Sequence, residues 1–472
     1  MASRVPAALF GIAALVSAGF GLRPEESPSV GIEGPVPVVA VWSARRVPVA
    51  LADAVGAAKL PVRLHEVLDE ADACFVMREG RKLTFSMDPT EPKIPASTQK
   101  LLTGAAALAV LGPDHRFETT VLAPAKPRGG VVSRLYLVGG GDPVLVAAEY
   151  KASLDEDPLT MGHPVTPLEG LADALAAAGV REVQGPIVGD ASRHTGGLTV
   201  PSWRSTYISD HDVAYLSALT VNGGWSAWDP VKVTASDPGA NAAGELARVL
   251  AQRHVTVAGG GTSGTTPSDA VEVASVKSPP VAELVAAMIR ESDNLMAELL
   301  VREIGLARTG EGTTEAGTQA MVDVLRELDI DVAGVALIDG SGLDRGNRAT
   351  CGSALGALDL RHDDRFAALD AGLAVAGRTG TLHKRFDGTA LEGRLRAKTG
   401  SLNDVVGLVG VLEGRAAGRP DLSFALMANG TGSSANGSAL QEAIAETLDA
   451  YPFPSADPTV LGPPAARRAS SR

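Results

Sequence analysis

The chain has 472 residues, 45% of them hydrophobic and 21% charged, which allows more than one domain and excludes a disordered protein. Its formal net charge of -13 argues against a nucleic-acid partner, because phosphate binding needs clustered Lys and Arg. The two cysteines, Cys74 and Cys351, allow one disulfide or two buried thiols.

The chain opens MASRVPAALFGIAALVSAGFGLRPEESP. Arg4 precedes an apolar run, Ala7 to Val16, that is too short to span a bilayer comfortably. Val16-Ser17-Ala18 fits a small-residue cleavage site, so residues 1–21 read as a secretory signal peptide, with an uncleaved anchor as the alternative. An extracytoplasmic location follows, secreted or tethered outside the membrane. Residues 22–47 are rich in Pro, Gly and Val and read as a linker. ACFVMREGRKLTFSMDP predicts a β-hairpin. STQKLLTGAAALAVLGPD predicts an apolar helix from Ser97, stopped at Gly112-Pro113. From about 118 to 275 short β-like runs alternate with Gly and Pro turns, with helices near PLEGLADALAAAG and NAAGELARVLAQRH. SPPVAELVAAMIRESDNLMAELLVREIG returns to helix, with Pro at its start. LEGRLRAKTGSL and VVGLVGVLEG predict adjacent strands, and residues 453–472 a disordered tail.

Three short motifs carry chemistry. Ser97 and Lys100 stand three apart, on one helix face, where a partly desolvated amine can act as base to a hydroxyl. Ser292-Asp293-Asn294 presents a hydroxyl and an amide in a turn between helices. Lys398-Thr399-Gly400 adds a cation, a hydroxyl and room for close approach, with Ser401 a second hydroxyl. Each motif alone also fits a helix cap or a turn. Together and in this order they form the set shared by penicillin-binding proteins and serine β-lactamases. A near-copy, Arg378-Thr379-Gly380-Thr381-Leu382, sits in a loop-like context and reads as scaffold, which leaves Lys398-Thr399-Gly400 as the working copy.

With these motifs, PASTQKLLTGAAAL, GGGDPVL, GPIVGDAS, ESDNLMAE, DGSGLDR and GTLHKRF make the chain resemble the class C low-molecular-mass penicillin-binding proteins, the D-Ala-D-Ala carboxypeptidases and endopeptidases of the penicillin-binding protein four type. The resemblance implies an α/β (α+β) fold: a β-lactamase/transpeptidase-like catalytic domain with a central antiparallel sheet packed by helices. That domain would be discontinuous, 48–117 and 276–452, with residues 118–275 inserted as a large β-rich region. It implies Ser97 as nucleophile, Lys100 as its base, Ser292 as proton relay and Lys398 as the charge on that path. It implies Asn294, Thr399, Gly400 and Ser401 as substrate-binding, with the Ser97 and Ser401 N–H groups as oxyanion hole. Asp190, in GPIVGDAS, would hold the free amine of a peptide stem, though a turn Asp at a strand end reads as well. Asp142 reads as a turn residue. Asp344 stands where relatives often carry Ser. The implied substrate and ligand classes are peptidoglycan peptide stems and β-lactams, with no cofactor and no metal. The 8 His are scattered and no H-E-x-x-H or G-x-S-x-G occurs. A serine β-lactamase and a non-catalytic wall-binding scaffold are the alternatives. No E-x-x-L-N follows the S-D-N, and all three motifs are intact.

Overall fold

An antiparallel strand with one wet face alternates apolar and polar residues. Val405–Leu412 does not: all its positions are buried. The reason lies in the layers around it. In this computed structural model, which describes residues 56–68, 71–414 and 420–452, that strand is inside a six-stranded sheet covered on both faces. The signal-peptide, linker and tail segments (1–21, 22–47 and 453–472) lie outside the described residues. Among the described residues no helix is long and apolar enough to cross a membrane.

The core sheet runs in the order Ala374–Val375, Leu395–Leu402, Val405–Leu412, Leu422–Asn429, Asp72–Glu79, Lys82–Met87, with every neighbour antiparallel. The expected hairpin is its far edge, turning at Gly80 with φ +56°. Side chains alternate between two cores, as a period of two requires. Cys74, Val76, Val409, Val411, Ala425 and Met427 face one cluster. It is built with the helices Lys100–Leu111, Val281–Glu291, Asn294–Thr309, Thr314–Glu327 and Cys351–Asp359. Phe75, Met77, Leu408 and Leu426 face the other, closed by the helices Leu60–Leu68 and Ser434–Ala450. Cys74 and Cys351 form a disulfide between the sheet and the first helical layer.

Residues 118–277 hold a second sheet, in the order Gly261–Ser263, Ile187–Asp190, Leu135–Val138, Glu118–Ala123, Val271–Lys277. Its first two pairings are parallel and its last two antiparallel. The helices Leu168–Ala177 and Pro238–Ala251 cover it with a core of their own. A smaller cluster then seats this middle region on the helix Asn294–Thr309 and the loop at Leu343. Tyr150, Tyr207, Val213 and Trp225 pack with Leu295, Leu299 and Leu343.

Candidate active site

Ser97 sits in a 3-10 turn, Ala96–Gln99, and the α-helix begins only at Lys100. The expected helix therefore starts three residues late. The change tightens the pair, because residues three apart eclipse in a 3-10 turn. Lys100 Nζ lies 3.0 Å from Ser97 Oγ. It also donates to Asn294 Oδ1 and to the Ser341 carbonyl, each at 2.7 Å. The side chain is fully buried. Burial pulls its pKa down to about 8, against the charges of Asp339, Glu298 and Asp293, which raise it.

Ser292 ends the helix Val281–Glu291 in the left-handed region, at φ +63°. Asp293, not Ser292, caps the next helix, its carboxylate accepting from Met296 N. The Ser292 hydroxyl is thereby left for Lys398, whose Nζ donates to it at 2.9 Å and to the Thr399 carbonyl at 2.7 Å. Lys398 is fully buried, and burial, then the nearby charge of Lys100, hold its pKa well below the ordinary lysine value. Asn294 is a bridge: its Oδ1 accepts a hydrogen bond from Lys100 Nζ and its Nδ2 donates to the Asp212 carbonyl of the middle region at 2.8 Å.

The Lys398-Thr399-Gly400 strand lies against the Ser97 turn because two glycines let it. A Cβ on Gly400 would stand 2.9 Å from the Pro95 carbonyl, and one on Gly407 2.7 Å from Thr98 Cγ2. Thr399 Oγ1 donates to Thr381 Oγ1 at 2.9 Å, and Ser401 is exposed. On the outer side, Ala374–Val375 pairs only with Ala397 and Arg396. Among the described residues no strand pairs with the outer edge from Lys398 onward. A cavity of about 520 Å³ opens beside Ser292, Asp293 and Asn294, walled by Tyr150, Trp225 and Trp228.

The structure thus brings Ser97, Lys100, Ser292, Asn294, Lys398, Thr399, Gly400 and Ser401 to one place. Asp190 is engaged elsewhere. Its two oxygens accept the backbone N–H groups of Ser192, at 2.9 Å, and Thr266, at 2.6 Å. No described contact joins it to Ser97, Lys100, Ser292 or Lys398. Asp142 accepts from Val144 N in an Asx turn. Asp344 accepts from Ser202 Oγ and from Gly346 N.

Three participants escaped the sequence reading. The Ser341 carbonyl is backbone, so no side-chain motif signals it, although DGSGLDR marks the loop that carries it. Glu298 lies one helical turn beyond Asn294 and binds that loop. Thr381 belongs to the near-copy Arg378–Leu382, read as scaffold, yet it touches Thr399.

A two-faced antiparallel sheet, with a Ser/Lys pair at the start of a central helix and a second Ser/Lys pair beside it, is the arrangement shared by penicillin-binding proteins and serine β-lactamases. The chain belongs to the D-Ala-D-Ala carboxypeptidase 3 (S13) family, whose model matches residues 78–229 and 225–451. A carboxypeptidase of Mycobacterium tuberculosis is 34% identical over 78% of this chain and 77% of its own length. A D-alanyl-D-alanine carboxypeptidase of Actinomadura sp. is 31% identical over 85% of this chain and 87% of its own. The crystal structure of penicillin-binding protein 4 from Haemophilus influenzae shares the fold, with TM-score 0.65 at 20% identity over 78% of this chain and 93% of that one. A further structure of that protein holds a β-lactam.

Proposed function

We propose that the chain is a serine D,D-peptidase that forms its acyl-enzyme at Ser97. The observation that carries this reading is the Lys100 amine, set against Ser97 Oγ with two further positions tied to carbonyl oxygens. In the neutral amine those two N–H bonds leave the lone pair facing Ser97 Oγ. Lys100 then takes the hydroxyl proton as Oγ attacks the carbonyl of the D-Ala-D-Ala bond. Ser292, hydrogen-bonded to Lys398, passes a proton to the leaving amine as the C–N bond breaks, and is refilled by the proton that Lys100 took. Water attacks the ester and gives its proton to Lys100, which returns it to Ser97 Oγ as the shortened stem leaves. Thr399 and Ser401 receive the terminal carboxylate, Asn294 lies beside the acyl-side amide, and the backbone N–H groups of Ser97 and Ser401 face the oxyanion.

The unpaired outer edge beyond Ala397 supports a substrate that lies along this strand as an added one. Peptide stems of peptidoglycan are the substrate class, D-Ala cross-links a further candidate bond, and β-lactams the inhibitors that stop at the ester. An extracytoplasmic site of action is supported by the N-terminal pattern and by the disulfide, which persists in oxidising compartments. We read residues 118–275 as an insertion into a catalytic domain of 48–117 and 276–452, supported by the separate sheet and core of the middle region.

The test is intact mass after benzylpenicillin, followed over hours, for the parent and for Ser97→Ala. A lasting adduct in the parent and none in the variant is the expected result. An adduct that clears within seconds would favour a β-lactamase. No adduct on folded parent protein would leave a scaffold.

A further inference from the structure

The turn Asp339–Gly342 presents three successive carbonyls to one side of the nucleophile segment. Gln99 Nε2 donates to the Asp339 carbonyl, Thr103 Oγ1 to the Gly340 carbonyl at 2.7 Å, and Lys100 Nζ to the Ser341 carbonyl at 2.7 Å. The first two bonds fix the turn and the third fixes the base. What aims the third carbonyl lies behind it. Glu298 Oε1 accepts both Gly340 N, at 3.0 Å, and Ser341 N, at 2.7 Å. Glu298 is wholly buried, and its Oε2 has no hydrogen-bond partner. One carboxylate oxygen thus accepts two successive backbone N–H groups, which would be left unpaired without it.

We propose that Glu298 is the positioning residue of the general base: it holds the Gly340 and Ser341 N–H groups that lead into the Ser341–Gly342 peptide, whose own N–H goes to Asp339 Oδ1 at 2.9 Å, so that the Ser341 carbonyl holds Lys100 against Ser97. The inference rests on the acyl-enzyme reading above and adds to it a residue that never meets substrate. Glu298 stands on the helix that Asn294 opens, so one helix bears on both of the other Lys100 acceptors. Asn294 gives its own oxygen, and Glu298 works through the Ser341 carbonyl. The charged groups that face Glu298 are Asp339 from the turn, Lys100 from the nucleophile helix and Arg302 from its own helix. Burial, then the charge of Asp339, push the Glu298 carboxyl up to about 8. Gln keeps an acceptor oxygen at the same reach without the charge, so it tests the two N–H acceptor bonds apart from the charge.

The experiment measures acylation by benzylpenicillin at saturation and at low concentration, from pH 6 to 9, with melting temperature alongside. Glu298→Ala loses both N–H bonds, and the saturated acylation rate is expected to fall about 100-fold while the half-saturating concentration moves less than threefold. Its pH midpoint shifts, because the Ser341 carbonyl no longer holds Lys100. Glu298→Gln restores the rate to within about threefold, together with the midpoint. If Glu298→Ala fails to fold, Glu298→Asp decides. One methylene shorter, it reaches the two N–H groups poorly and is expected to slow acylation at least tenfold. Folded Glu298→Ala or Glu298→Asp that acylates at the parent rate overturns the proposal. So does Glu298→Gln that is as slow as Glu298→Ala. A parent that forms no adduct sinks the acyl-enzyme reading instead, before any variant is compared.

Discussion

The chain spells nearly the same five residues twice, Arg378–Leu382 and Lys398–Leu402, and gives them different surroundings. The second copy is strand, in register from Leu395 opposite Leu412 to Leu402 opposite Val405. The apolar run that follows draws it into the sheet, and the sheet takes its lysine out of water. The first copy is a 3-10 turn, Gly380–Leu382, entered through Gly377 at φ +68°. Its Arg378 side chain stays 61% exposed, 4.0 Å from Glu392. A solvated guanidinium at that range adds little, whereas an amine buried beside a second lysine is reactive. Similar words become chemistry only where packing removes the water. The first copy still serves the second: Thr379 Oγ1 accepts from Val375 N, and Thr381 meets Thr399.

The largest expected contrast is between the two cations. Lys398→Met should slow acylation by benzylpenicillin about 1000-fold, and Arg378→Met should leave it within twofold, by time-resolved intact mass. If both variants fall together, the distinction between the copies is wrong. The pH profile comes next. Lys100 must be neutral to take a proton, and its pKa is about 8, so acylation should drop about tenfold per pH unit below that value and level off above it. Arg378→Met should overlay the parent curve, and a flat profile from pH 6 to 9 would remove Lys100 as base. The hydroxyls follow. Thr399→Val should raise KM for a D-Ala-D-Ala peptide about tenfold, by loss of a bond to a charged group, and Thr381→Val about fivefold by freeing its partner. Equal effects would mean that both hydroxyls touch substrate. The smallest effect on rate belongs to Gly380→Ala. At φ +56°, with the Arg290 carbonyl 2.3 Å from the added Cβ, it should lower stability by about 1–3 kcal/mol. The folded fraction should acylate normally, read by melting temperature against adduct yield.

The Ser97, Ser292 and Lys398 motifs were legible because their hydroxyl and amine groups recur at short, local spacing. The core strands were legible from apolar runs, since both faces of the sheet are covered. The Ser341 carbonyl was not, because a backbone acceptor leaves no mark in composition. Glu298 was hidden for a related reason: a Glu at helical spacing in a buried stripe shows its meaning only when the turn 339–342 is folded against it. Ser292 read as a candidate helix cap until its left-handed backbone passed that duty to Asp293. Asp190 lies in a stretch that implied a substrate contact; its oxygens accept the N–H groups of Ser192 and Thr266, and no described contact joins it to Ser97 or Lys100.

The middle region reaches the loop 339–344 and the helix that Asn294 opens at several points. Trp203 Nε1 donates to Asp339 Oδ2, Tyr207 OH to the Leu343 carbonyl, Ser202 Oγ to Asp344, and the Asp212 carbonyl receives Asn294. Separate as its sheet is, this part cannot be pruned from the gene to yield a miniature enzyme. Excision would strip donors from the loop that steadies Lys100 and expose the apolar side of Leu295, Leu299 and Leu343. Swapping it between relatives should succeed only where the exchanged piece brings its own tryptophan, tyrosine and serine to the same three seats.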